Sequence, residues 1–176
     1  WEWFALPQPE GGTALASVHT GRANGLVEAA INAGEIAPLA DYRTLKREVK
    51  VGEARLDFRL DDPEKGAAYV EVKQVTLKEA DGHGYFPDSV SARGTKHLAT
   101  LAALAQQGER AVLLFCVAHE GIADVAPAAH IDATYAAALS DAVQAGVEVL
   151  AYGVTVTWQQ SVPIAARLTR ALPVRV

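Results

Sequence analysis

Two short segments of this 176-residue chain carry side chains that could do hydrolytic chemistry. In Arg55-Leu56-Asp57-Phe58-Arg59-Leu60 and in Tyr69-Val70-Glu71-Val72-Lys73, polar and apolar residues alternate strictly. A period of two belongs to a β-strand, whose successive side chains point to opposite faces. It predicts Arg55, Asp57 and Arg59 on one face and Leu56, Phe58 and Leu60 on the other. On the second strand it groups Tyr69, Glu71 and Lys73. Side by side, the strands present two carboxylates and an ammonium on one polar face. Two convergent carboxylates bind a hard divalent cation through oxygen. Such a cation lowers the pKa of a bound water and neutralises charge on a phosphodiester. A Lys beside it orients the nucleophile or stabilises the developing charge. Mixed charges on neighbouring strands also make ordinary solvated faces, so spacing alone leaves both readings open.

The surrounding elements must hold these strands together. Asn24 is placed to cap a helix whose Leu26, Val27, Ala30 and Ile31 follow helical spacing as far as Gly34. A strand over 42–51 and a Gly52-Glu53 turn lead into the first site strand, which predicts three consecutive antiparallel strands. A polar, glycine-rich loop spans 79–89. A helix over 91–107 then carries the apolar stripe Leu98, Leu101, Ala102 and Ala105. The continuous apolar run from Arg110 to Val117 fits a strand covered on both faces. Asp132 caps a further helix to Ala145, and a last strand starts at Val147 and extends to Tyr152 or Thr157. A short strand at 14–18 precedes them all. This order predicts an α/β fold with a mixed sheet flanked by helices. There is no glycine-rich phosphate loop.

Composition sets further bounds. Half the residues are hydrophobic and 21% are charged, as in a globular domain. The lone Cys116 sits inside an apolar run and reads as a buried structural thiol, which suits a reducing, cytoplasmic setting. No apolar run approaches the roughly 18 residues that span a membrane, and no membrane partner is expected. His83, His119 and His130 have no zinc-ligand spacing with Cys116 and read as surface or loop residues. Trp3 and Trp158 read as core or domain-contact residues. The chain lacks Met and opens on Trp1, so a preceding portion is expected. The net charge of −5 argues mildly against nucleic acid, but its distribution argues less. The segment 43–78 holds nine Lys and Arg against seven acids, whereas 111–166 holds no Lys or Arg and five acids. A local basic surface attracts phosphates whatever the total charge.

An Asp on one strand, Glu-x-Lys on the next and this element order together resemble the PD-(D/E)xK nuclease superfamily. The resemblance implies a restriction-endonuclease-like fold with Asp57, Glu71 and Lys73 as the catalytic set. Asp57 and Glu71 would hold Mg or Mn, with the Val72 carbonyl as a further ligand. A closer resemblance runs from Val18 to the C-terminus. Leu45-Lys46-Arg47-Glu48-Val49-Lys50, Val70-Glu71-Val72-Lys73-Gln74-Val75-Thr76-Leu77, Tyr85-Phe86-Pro87-Asp88, Arg93-Gly94-Thr95-Lys96-His97-Leu98 and Gly146-Val147-Glu148-Val149-Leu150-Ala151-Tyr152 are similar to the sugar fermentation stimulation protein A family.

That resemblance implies a nuclease-like domain at 18–176. Residues 1–17 would be the end of an N-terminal region, or the join to a small OB-like domain. It also implies DNA as partner and a link to regulation of sugar, particularly maltose, metabolism. The chain departs from the family pattern at His19, where Asn is usual, and at Ala23, where Pro is usual. In the first helix Glu28 stands beside Ala29, where the family has one or two Glu. Glu28 is therefore either a further metal ligand or an exposed helix residue. Arg47, Lys50, Arg93, Lys96 and His97 are the expected DNA contacts, the last three opening a helix whose N-terminus attracts phosphate. Asp88 would cap that helix or support the site. Two functional readings remain: a Mg- or Mn-dependent DNA phosphodiesterase, and a non-catalytic DNA-binding regulator. A structural or small-molecule role in sugar metabolism has no specific support.

Overall fold

The computed structural model describes residues 3–8, 11–17 and 19–176. Six strands form its main sheet. Thr44–Val51 (β3), Ala54–Asp62 (β4) and Gly66–Val75 (β5) follow one another antiparallel, as their alternation predicts. Arg110–Val117 (β8) lies parallel to β5 on its other side, and Glu148–Gln159 (β10) lies parallel to β8. Val162–Leu172 (β11) closes the order β11-β10-β8-β5-β4-β3 as an antiparallel edge. The central β8 is buried along its length after Arg110, which explains its unbroken apolar run.

Ala23–Asn32 (α1) covers one face of this sheet; Ala92–Gln106 (α2) and Ala133–Gln144 (α3) cover the other. Alternate residues of β5 and β8 feed the two layers. Val70, Val72, Val112 and Leu114 pack toward Val27 and Ile31 of α1, while Leu113, Phe115 and Val117 pack toward Leu98, Leu101 and Leu139. This is the mixed sheet flanked by helices expected from the element order. Among the described residues, no helix is long and apolar enough to cross a membrane.

The two helices behind the site strands are locked at their N-termini. Ser91 caps α2, its Oγ accepting from the Gly94 amide at 3.1 Å. Asp132 caps α3 by accepting from the Tyr135 amide at 2.9 Å, and its other oxygen accepts from the Ser91 amide at 2.8 Å. Gly94 lets the helices meet: a Cβ there would lie 2.7 Å from Ser91 Oγ and 3.0 Å from the Tyr135 ring. Asp88 does not cap α2; it is exposed, and Ser91 has the position.

Several expectations need correction. Residues 79–89 are not simply a loop. Leu77–Lys78 (β6), Gly84–Phe86 (β7) and Val125–Pro127 (β9) form a small second sheet. The extended Trp3–Pro7 (β1) and Thr13–Ser17 (β2) make a hairpin, whose Ser17 amide donates to Ala118 O at 2.9 Å. Val18, expected at the end of that strand, lies outside the described residues. Trp158 is not a core residue, being 49% exposed on the β10–β11 ribbon, whereas Trp3 packs half-buried on the α1-side core. His119 is buried rather than superficial, with Nδ1 accepting from the Gly121 amide. Cys116 is fully buried, and burial pushes its thiol up to about 12, as befits a structural thiol.

The strict alternation of β4 fails at one place. Phe58 and Leu60 pack toward α1, but Leu56 packs with Leu98 and Leu101 on the α2 side. The break falls at Asp57. The β3–β4 ladder pairs Arg47 with Phe58 and Val49 with Leu56, skipping Glu48 and Asp57 between them. Glu48 has a φ of 53°, left-handed backbone that a non-glycine residue seldom adopts. The kink it makes lets β4 change sides, so Arg55, Asp57 and Arg59 do not share the single face predicted for them.

Candidate active site

The kink sets up the position of Asp57. The β4–β5 ladder runs from Asp62 and Gly66 to Phe58 and Val70, then stops. Past that point the Val72 amide donates to Asp57 Oδ2 at 2.7 Å, so a side chain takes the place of a strand partner. Asp57 Oδ1 accepts from the Asn24 side-chain amide at 2.7 Å. Asn24 therefore does not cap α1, which starts at Ala23 without a side-chain cap. It spends its amide on the site, a role that its place at a helix start concealed.

Glu71 lies on the α2 face of β5 and is only 2% exposed. Its Oε1 meets two groups at once, the Lys73 ammonium at 2.7 Å and Nδ1 of His97. Lys73 Nζ and His97 Nδ1 are themselves 3.3 Å apart. Glu71 Oε2 is buried and meets no hydrogen-bond partner. Nearby on α3, the Tyr135 hydroxyl is also buried without a partner. Burial, then the charge of Glu71, raise that phenol above its ordinary value.

The two carboxyls respond differently. Burial, followed by the charge of Glu71, pushes Asp57 up, and its hydrogen bonds from Val72 and Asn24 only partly offset this. Burial works on Glu71 in the same direction. The His97 hydrogen bond and the charge and hydrogen bond of Lys73 outweigh it and hold Glu71 below the usual carboxylate range.

The structure thus joins Glu71, Lys73 and His97 in direct contact and sets Asp57 within electrostatic reach of Glu71 and Lys73. His97 differs from the sequence expectation. Its ring turns inward at 6% exposure instead of standing with Arg93 and Lys96 on the surface. The helical spacing contained that signal, since Gly94, His97, Leu101 and Leu104 fall on one buried stripe of α2. Arg93 and Lys96 are exposed and, with Arg55, Glu53 and His97, line a cavity of about 590 Å³ between α2 and the β3–β4 turn. Arg47 and Lys50 are not among its lining residues. Arg47 makes a two-pronged ion pair with Glu28, using Nε at 2.9 Å and its Nη2. Glu28 therefore faces a guanidinium and does not join Asp57 and Glu71.

The donor set can be weighed against a metal. Among the described residues, no three His, Cys, Asp or Glu side chains gather as a metal cluster. Two carboxylates lie within electrostatic reach of each other here. One has an unpartnered buried oxygen, a costly state for a charged group, and the other is pushed up partly by the first. Both strains are relieved by a cation, and an all-oxygen pair suits a hard ion such as Mg, Mn or Ca that completes its shell with water or phosphate. The residues fit such an ion.

Comparison with known proteins agrees with this architecture. The family model described as "Sugar fermentation stimulation protein RE domain" matches residues 21–160. A sugar fermentation stimulation protein homolog of Chromohalobacter salexigens is 61% identical over 175 residues, covering 99% of this chain and 69% of that protein. One from Shewanella pealeana is 49% identical, covering 98% of this chain and 71% of its own. The solved structure of Pyrococcus furiosus SfsA in complex with Ca2+ superposes with a TM-score of 0.82 at 29% identity, over 99% of this chain and 78% of that one.

Proposed function

The chain belongs to the sugar fermentation stimulation protein family, and from that premise we propose that it binds DNA beside α2 and hydrolyses its phosphodiesters with a divalent cation. The observation that carries this reading is the unpartnered, buried Oε2 of Glu71 beside the raised carboxyl of Asp57. The Pyrococcus furiosus relative was solved with Ca2+, a hard cation of the type that these oxygens suit, and this supports the reading further. Mg or Mn would be held by Asp57 and Glu71, with the Val72 carbonyl beside them. When bound, the ion supplies an activated water and neutralises phosphate charge.

The chain's own groups do the rest. Arg55, Arg93 and Lys96 draw the phosphate backbone toward the cavity. Lys73, fixed on Glu71 at 2.7 Å, presents a positive charge where negative charge grows on the phosphoryl oxygens. Asn24 and the Val72 amide hold the Asp57 carboxylate in one orientation. The pairing of Glu28 with Arg47 removes it from the proposed ligand set. In the cell, the same DNA binding would underlie regulation of sugar, including maltose, metabolism.

A second reading has its own observation. Among the described residues, no three metal-binding side chains gather at the site, and Glu28 is held by Arg47. That sparse set favours a weakly held cation and a non-catalytic, DNA-binding regulator that keeps the fold and the groove. Incubating the full-length protein with labelled DNA and Mn2+, beside Asp57→Ala, separates the two. Mn-dependent products in the wild type that vanish in the variant support the phosphodiesterase. Binding without products favours the regulator, and products unchanged by the substitution overturn the site.

A further inference from the structure

Glu71 has two oxygens in opposite circumstances, and His97 decides which is which. Oε1 contacts both Lys73 Nζ and His97 Nδ1, while Oε2 has no partner. An ammonium only donates. It lies 3.3 Å from Nδ1 but closer to Oε1, at 2.7 Å, so Oε1 is where both groups converge. If Nδ1 were instead the bare acceptor nitrogen, its lone pair would face the lone pairs of Oε1 at hydrogen-bond range, which is repulsive. With Glu71 ionised, the proton on Nδ1 makes this contact a hydrogen bond. Buried His97 thus donates to Oε1 from a helix pinned by the Ser91 cap and the Asp132 bond, and its ring has little freedom to move.

We propose that His97 is a positioning residue for cation binding: its Nδ1–H, with Lys73, occupies Oε1 of Glu71 and leaves Oε2 as the one oxygen of that carboxylate open to the metal. This rests on the metal reading given above. Without the ring, Glu71 can rotate, share both oxygens with Lys73, and lose its aim. Partners that orient a ligand from behind typically change metal affinity by about 10- to 100-fold. His97 acts on the cation through Glu71.

The side-chain amide of Asn can place an N–H near the position of Nδ1, whereas that of Gln reaches too far and Ala supplies nothing. Mn2+ affinity of the metal-free, full-length protein, read by electron paramagnetic resonance without DNA, should therefore rank wild type and His97→Asn together. His97→Gln and His97→Ala should bind about 10-fold or more weakly, with thermal melts checking that each variant is folded. Unchanged affinity in His97→Ala overturns the proposal alone. Equal weakening in all three variants also overturns it, because packing and not the Nδ1 donor would then be responsible. Absence of Mn2+ binding by the wild type overturns both the metal reading and this one. A second measurement needs neither metal nor folded variants: the long-range 1H–15N spectrum of the wild type should show His97 protonated at Nδ1. A bare Nδ1 overturns the proposal.

Discussion

The groove beside α2 makes a quantitative statement about salt. Arg55, Arg93 and Lys96 line the same cavity, and a phosphate backbone lying there would meet three cations. Each neutralised phosphate releases condensed counterions, so affinity for duplex DNA falls with salt at a log–log slope of about −0.9 per contact. Three contacts give a slope of about −2.7, a loss of about 40-fold between about 50 and about 200 mM monovalent salt. On single strands the coefficient is about −0.7 per contact, and the same three contacts give about 20-fold. Fluorescence anisotropy with labelled duplex and single-stranded oligonucleotides, in chelator, reads both slopes. Arg93→Ala or Lys96→Ala should each reduce the duplex slope to about −1.8, alike for unrelated sequences, because phosphate contacts carry no sequence information. Arg47→Ala should leave the slope unchanged, since that guanidinium already faces Glu28. A slope shallower than one contact, or slopes untouched by Arg93→Ala and Lys96→Ala, would refute the groove.

Three further outcomes follow from the site. Asp57 has a raised carboxyl, so between the ordinary value of 3.8 and its folded value the native state keeps a proton that the unfolded chain has released. Stability therefore falls as pH rises through that window, and at neutral pH the ionised group carries a full penalty. Metal-free Asp57→Asn should melt above the wild type at pH 7, with the advantage shrinking as pH falls toward 3.8; saturating Mn2+ should reverse the order by about 2.7 kcal/mol at 100 times Kd. Lys73→Ala should retain most cation binding while any cleavage drops by about 100- to 1,000-fold, the usual loss for one charge-stabilising donor; a parallel collapse in metal affinity would show that Lys73 serves the metal instead. Glu28→Ala should leave Mn2+ affinity unchanged and cost at most about 1 kcal/mol in a denaturant melt, as expected for a partly exposed ion pair. A large fall in affinity would restore Glu28 as a ligand.

The sequence made some of this legible and hid the rest for identifiable reasons. Alternation placed Glu71 and Lys73 together correctly, because β5 is paired with β8 from Ala68 to Val75 and keeps its period. The same alternation misread β4, because its break depends on a left-handed Glu48 on the neighbouring strand, a conformation that no glycine announces. Asn24 looked like a cap because Asn favours helix starts; its real partner lies 33 residues away. β11 escaped notice because Ala-Ala-Arg-Leu-Thr-Arg-Ala-Leu carries helix-favouring residues, and only pairing with β10 makes it a strand. The strands of the second sheet are two or three residues long, too short for any period to show.

The kink in β4 and the division between the carboxyls belong to one arrangement. Had β4 continued to pair with β5 past Phe58, the Val72 amide would be taken up in the ladder and unavailable to Asp57. Because the ladder stops, Asp57 replaces the missing strand partner and lies within electrostatic reach of a second buried carboxylate. The repulsion is not shared equally. Lys73 and His97 stabilise the charge on Glu71, so Glu71 stays ionised and Asp57 absorbs the penalty. In the proposed reading, a cation relieves Asp57 most and Glu71 least. Glu71 would then act as the standing ligand, aimed by His97, and Asp57 as the ligand whose full ionisation is coupled to metal. Replacing Asp57 should therefore weaken metal binding least at the acidic end of the pH range, because only the wild type must release a proton there, and most where the wild-type carboxyl is already ionised. Replacing Glu71 should weaken it at every pH. Identical pH profiles for Asp57→Asn and the wild type would show that the two carboxyls do not divide the work in this way.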